Sequence, residues 1–229
     1  MKKKRTGCLL AGTLWSVAFV LWTMLIQVVD VEAIGPGGTK VGFATWNGWF
    51  HEWTGVNMGL YVITDWLGLV PVFVCLFFGV IGLLQLIKRK SLRMVDCDIV
   101  ILGIFYIIVI ASYLAFEMYP INYRPVLIEG YMEASYPSST TLLVMSVMPT
   151  LAEQTGRRIK HPAVRMSVCV ISVFFTGAMV FGRLISGVHW FTDIVGAVLL
   201  SAGLFCFYKA AVQWTAQGQQ TGGTADGIS

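Results

Sequence analysis

Six long apolar segments, at about 8–29, 58–87, 99–116, 137–152, 163–185 and 190–208, constrain this chain more than any other feature. About 20 helical residues cross a bilayer's hydrocarbon core, and a backbone in lipid must satisfy its own polar groups. Continuous apolar runs of this length therefore predict an all-α protein, an integral membrane bundle of six transmembrane helices. Composition agrees: 56% of the 229 residues are hydrophobic and 12% charged, against about 25% charged in soluble domains. The bundle takes up residues 1–212 as one domain. The Gly-, Gln- and Thr-rich stretch 213–229 reads as a disordered cytoplasmic tail.

Lys2, Lys3, Lys4 and Arg5 precede the first apolar segment. A secretory signal is the rival reading there, since Val31-Glu32-Ala33 loosely fits a cleavage site. The apolar core exceeds the roughly 7–15 residues of a signal core, so an uncleaved anchor is expected. The stretch 30–56 carries Trp46, Trp49, Phe50 and Trp53, aromatic residues suited to the membrane interface. The second segment is interrupted by Asp65 and Pro71 and is long for one crossing, so its first turns are expected outside the bilayer. The fourth is the least hydrophobic.

Six crossings place both termini on one side. The N-terminus, the 87–95 and 155–165 loops and the stretch after residue 208 then hold 13 of the 16 Lys and Arg, leaving Lys40, Arg124 and Arg183 opposite. By the positive-inside rule the termini are cytoplasmic. No nucleic-acid module is present, and Cys8, Cys75, Cys97, Cys169 and Cys206 show no paired spacing for zinc or a disulfide framework.

That topology brings Arg124, Ser138, Thr140, Arg183, His189 and Asp193 to one outer level. Charge at membrane depth is costly and is kept for function or pairing. Asp193 lies four residues after His189, so on a helix the two share a face. The carboxylate can then accept the imidazole Nδ1–H and leave Nε2 free as a nucleophile. Arg183, across a Ser-Gly break, can fold back as an anion clamp.

These residues resemble the type 2 phosphatidic acid phosphatase (PAP2) superfamily, integral-membrane lipid phosphatases with the motifs Lys-x6-Arg-Pro, Pro-Ser-Gly-His and Ser-Arg-x5-His-x3-Asp. The third motif is reproduced by Arg183, His189 and Asp193, with Gly182 at the usual serine. The first is half present: Arg124-Pro125 stands, but Glu117 replaces the lysine. The second reads Pro137-Ser138-Ser139-Thr140, with Ser139 for glycine and Thr140 for histidine.

The resemblance implies that His189 forms a phosphohistidine, oriented by Asp193, with Arg124, Arg183, Ser138, Ser139 and Thr140 around the phosphate. It also implies that Thr140 stands where the family has its general acid. His51 is the other outer histidine, and its aromatic neighbourhood reads as packing; His161 lies in the basic loop on the opposite side. The implied function is a phosphatase of membrane lipid phosphates or diphosphates, needing no cofactor or metal. It would lie in a bacterial plasma membrane with the site facing outward, its partners being lipids. A lipid phosphotransferase and a non-catalytic lipid-phosphate binder are the alternatives.

Overall fold

The computed structural model describes residues 2–225, and side chains for residues 3–215. Its helices are α1 (Lys2–Val28), α2 (Ala44–Thr54), α3 (Met58–Leu67), α4 (Leu69–Arg89), α5 (Cys97–Met118), α6 (Ser139–Arg158), α7 (Pro162–Ile185) and α8 (Phe191–Ala225). Among the described residues there are isolated β-bridges but no strands. The fold is all-α.

Five stretches among the described residues are long and apolar enough to cross a membrane: Lys3–Val28, Met58–Arg89, Cys97–Met118, Pro162–Ile185 and Phe191–Thr215. The expected fourth crossing, α6, is not among them. It is 20 residues long, but its buried residues include Thr140, Thr141, Ser146, Thr150 and Gln154. The reason is position. α6 packs against α4, α5, α7 and α8, so its sides meet protein. Thr150 meets the Tyr106 hydroxyl at 2.8 Å, and Gln154 donates to Tyr208 at 2.9 Å. A helix enclosed in this way can carry hydroxyls, because buried polar groups are tolerated when hydrogen-bonded.

The long second segment is two helices. Pro71 lacks an N–H and crowds the carbonyl of the residue four before it, so the ladder is interrupted just after Gly68. The Gly68 N–H still bonds the Thr64 and Asp65 carbonyls at 3.0 Å. At the other extreme, α8 continues to Ala225 where a disordered tail was expected from 213; residues 226–229 lie outside the described residues.

Close approaches tie α1 to α8. A Cβ at Gly12 would lie 2.9 Å from the Phe207 ring. Near the same end Arg5 stacks over the Trp214 ring at 5.2 Å. Arg158 there bonds Asp98 at 2.8 Å and Arg89 bonds Asp96 at 2.8 Å, joining the ends of α4, α5 and α6. The opposite end is built from α2, the 119–138 loop and the 186–190 turn. Fully buried Asn47 of α2 donates to the Thr192 hydroxyl at 3.0 Å and so docks α2 on the start of α8. Gly187 at φ +70° abuts the Gly55 carbonyl, where a Cβ would sit 1.9 Å from the oxygen. Only glycine fits that crossing.

Candidate active site

His189 lies in the turn before α8, not within a helix. The expectation of a shared helical face is corrected here. Asp193, in the first turn of α8, accepts the Trp190 backbone N–H at 2.9 Å. This is the reach-back of a capping box, in which an acid at the third helical position satisfies the N-cap donor. The cap draws the carboxylate toward the turn, and His189 Nδ1 then lies 3.7 Å from Asp193 Oδ2.

That separation is too long for a hydrogen bond, and Ser135 fills it. Its Oγ is 3.1 Å from His189 Nδ1 and donates a very short bond to Asp193 Oδ2. A hydroxyl that gives its proton to the carboxylate is left to accept the Nδ1–H, which leaves Nε2 with its lone pair free. Asn122 donates to Asp193 Oδ1 at 3.2 Å. His189 and Asp193 are 3% and 0% exposed. Burial holds the His189 pKa down to about 4; Asp193 works against this, while Arg124 and Arg183 add to it.

The 119–138 loop delivers the other groups. Bridges Tyr123–Ala134 and Ile128–Tyr131 fold it back on itself, and Arg124 N–H donates to the Glu133 carbonyl at 3.1 Å. Arg124 Nη1 is 3.5 Å from His189 Nε2. Its Nε lies 3.0 Å from Glu133 Oε2, yet off the hydrogen-bond direction, so this buried N–H has no hydrogen-bond partner.

Arg183 ends α7 at 1% exposure. Its Nη2 donates to Asp65 Oδ1 at 2.8 Å and to Thr140 Oγ1 at 2.5 Å, while Nε and Nη1 are buried without partners. The Arg183 and Arg124 guanidinium carbons lie 4.9 and 5.7 Å from the Tyr61 ring centre. Gly182 matches its surroundings, since a Cβ there would come within 2.7 Å of the buried Thr64 methyl.

At the start of α6, Ser138 turns its hydroxyl to Thr141 at 3.1 Å, and its N–H to the Asp193 carbonyl at 3.2 Å. Ser138 is therefore engaged within the protein, whereas Ser139 is half-buried and lines two cavities. A polar cavity of about 170 Å³ holds His189, Arg124, Glu117, Glu133 and Tyr113. An apolar one of about 470 Å³ begins at Asp65 and Thr140 and runs along Val72, Leu143 and Val147. They share Ser139 and Tyr113.

The structure thus brings Arg124, Ser139, Thr140, Arg183, His189 and Asp193 to one end of the bundle, with Ser138 bonded to Asp193. It keeps His51 in a packing role, its ring 5.6 Å from Trp190, and leaves His161 exposed at the start of α7. Ser135, Asn122 and Tyr61 carried no motif signal. Asp65 did carry one, as a charge interrupting an apolar run.

Residues 112–217 match the family model described as the PAP2 superfamily. This stretch is a PAP2-superfamily segment. It contains every site residue expected from the motifs, while Tyr61 and Asp65 lie before it. A crystal structure of a transmembrane PAP2-type phosphatidylglycerolphosphate phosphatase from Bacillus subtilis is similar at a TM-score of 0.65 and 15% identity. The match covers 89% of this chain and 96% of that one. At that identity it speaks for the fold. No curated protein matches by sequence. The PAP2 match over residues 112–217 and the five long apolar helices among the described residues support a multi-pass membrane protein.

Proposed function

We propose that this PAP2 protein dephosphorylates a membrane lipid phosphate or diphosphate through a phosphohistidine on His189. The observation that carries the reading is the pairing at His189: Nδ1 is turned to Ser135 and Asp193, while Nε2 faces the Arg124 guanidinium 3.5 Å away. In the proposed reaction the Nε2 lone pair attacks phosphorus and the P–O bond to the leaving group breaks. Arg124 and the unpartnered donors of Arg183 stabilise the equatorial oxygens. Water then hydrolyses the P–N bond, returning His189 and releasing phosphate. The phosphate would occupy the polar cavity and the lipid chain the apolar one.

Thr140 cannot protonate a leaving oxygen at neutral pH, and here its hydroxyl accepts from Arg183. A diphosphate avoids the difficulty by expelling phosphate, a good leaving group. A second reading, a non-catalytic lipid-phosphate binder, is favoured by Glu117 and Thr140, which stand where the family has lysine and its general acid.

The reading also takes α6 as a sixth crossing enclosed by its neighbours. The basic end of the bundle, with Arg5 and Trp214, is then cytoplasmic and the site faces outward.

The test is phosphate release by the purified full chain from a prenyl diphosphate and from phosphatidic acid, with His189→Ala and chelator controls. Release lost in His189→Ala and indifferent to chelator supports the reading. No release above the His189→Ala background from either lipid sinks it, and transfer is then assayed with an added lipid acceptor.

A further inference from the structure

We propose that the polar cavity at His189 takes a zwitterionic phosphate ester, with phosphate against Arg124 and His189 and an ammonium group against Glu117. The proposal rests on the reading that phosphate lies at His189, and it names the class of headgroup that this cavity recognises.

Charge is the first observation. The cavity wall carries one guanidinium, Arg124, and two carboxylates, Glu117 and Glu133. The neighbouring cation, Arg183, stands outside this wall, and its charge is shared between Asp65, 2.8 Å from Nη2, and the phosphate. A bare phosphate dianion entering here meets two carboxylates, and Arg124 already faces one of them at 3.0 Å. A headgroup carrying its own positive charge offsets that repulsion.

The two carboxylates are not equivalent. Glu133 sits 3.0 Å from Arg124, whereas exposed Glu117 forms no ion pair or hydrogen bond among the described residues. Glu117 also occupies the last turn of α5. A helix C-terminus carries partial negative charge and disfavours an acid there. The helix end and the carboxylate together make a locus of negative potential, open to the cavity and complementary to a cation. Tyr113, four residues earlier on the same helix face, lines the cavity beside it and offers an aromatic wall to an ammonium group.

The phosphate half stands on separate ground. Arg124 is 8% exposed, and its buried Nε–H has no hydrogen-bond partner. Glu133 Oε2 lies 3.0 Å from that Nε but off the hydrogen-bond direction, so an anion beside His189 can still take the N–H. Space allows both halves, since about 170 Å³ is many times the roughly 15 Å³ that admits one water.

The test is calorimetric titration of the purified full chain in detergent with phosphoethanolamine, glycerol 3-phosphate and inorganic phosphate, for the wild type, Glu117→Gln and Glu117→Lys. The expected result is a wild type that prefers phosphoethanolamine to the other two. Glu117→Gln should weaken phosphoethanolamine alone by about two- to fivefold, the span of an exposed charge pair. Glu117→Lys should reverse the order and bind inorganic phosphate more tightly than the wild type does. Equal binding of the three probes by the wild type overturns the proposal, as does an equal loss of all three in Glu117→Gln or no binding of any. Because affinity and phosphate release are scored separately, amine-selective binding without phosphate release would overturn hydrolysis and leave this inference standing.

Discussion

Asp193 and Glu117 flank the same site in opposite circumstances. Asp193 is fully buried and accepts from Ser135, Asn122 and the Trp190 backbone. Glu117 is exposed at a helix end and accepts from nothing among the described residues. A carboxylate enclosed by fixed donors has one geometry and can hold an imidazole; one left open to a cavity contributes field alone. Buried hydrogen bonds to charged groups are strong, and leaving such a group unpaired is costly. An exposed charge contributes far less. The contrast teaches that hydrogen bonds fix the His189 half of the site, while the Glu117 half stays open.

The largest expected effect would break the positioned half outright. His189→Ala should reduce phosphate release by at least about 10³-fold, as loss of a nucleophile does elsewhere. A His189→Ala protein retaining most of its activity in the phosphate-release assay would move the chemistry to another group.

Next is Ser135→Ala, which removes the hydroxyl between Nδ1 and Asp193 while leaving both in place. A loss of about 10–10²-fold in kcat with little change in KM is expected, because the orienting contact serves the reaction more than binding. Unchanged kcat would mean that His189 and Asp193 close their 3.7 Å separation without help.

The pH dependence sharpens the comparison further. His189 binds its proton at about 4 in the folded chain, against an ordinary 6.5. Between those values the unfolded chain holds more protons, so stability is complete above about 6.5 and falls as pH drops toward 4. The loss reaches about 3 kcal/mol at pH 4, measurable as a falling Tm that His189→Gln would flatten. The acid limb of kcat/KM should lie near 4 rather than 6.5, since the free Nε2 is the reactive form.

The smallest effect belongs to the open half. Glu133→Gln frees Arg124 from one exposed partner and should tighten inorganic phosphate by about two- to fivefold in the same titration, with kcat for phosphate release nearly unchanged. A large fall in kcat would show that Glu133 positions Arg124 instead.

Much of this was legible in sequence. The apolar segments, the clustering of Lys and Arg and the Arg183–His189–Asp193 spacing are local patterns, and hydrophobic length and residue intervals survive in any fold. The placement of His189 was not legible. A four-residue interval fits both a helical face and a turn leading into a capped helix, and the cap, closed by Asp193 on Trp190, separated the two. Ser135 carried no signal because its role exists only once the 119–138 loop lies against the start of α8. The polarity of α6 reads as a weak crossing in sequence and as an enclosed helix in the fold.

By itself the sequence determined that this chain is an all-α membrane protein and which stretch carries the phosphatase-like motifs. Both follow from residue types at short range, where lipid and the backbone impose the same rules on every chain. The tertiary structure alone decided that Ser135 stands between His189 and Asp193, that Asp65 holds Arg183, and that Glu117 is left open beside Tyr113. Those outcomes depend on contacts between residues far apart in the chain, and such contacts are set by how helices and loops pack.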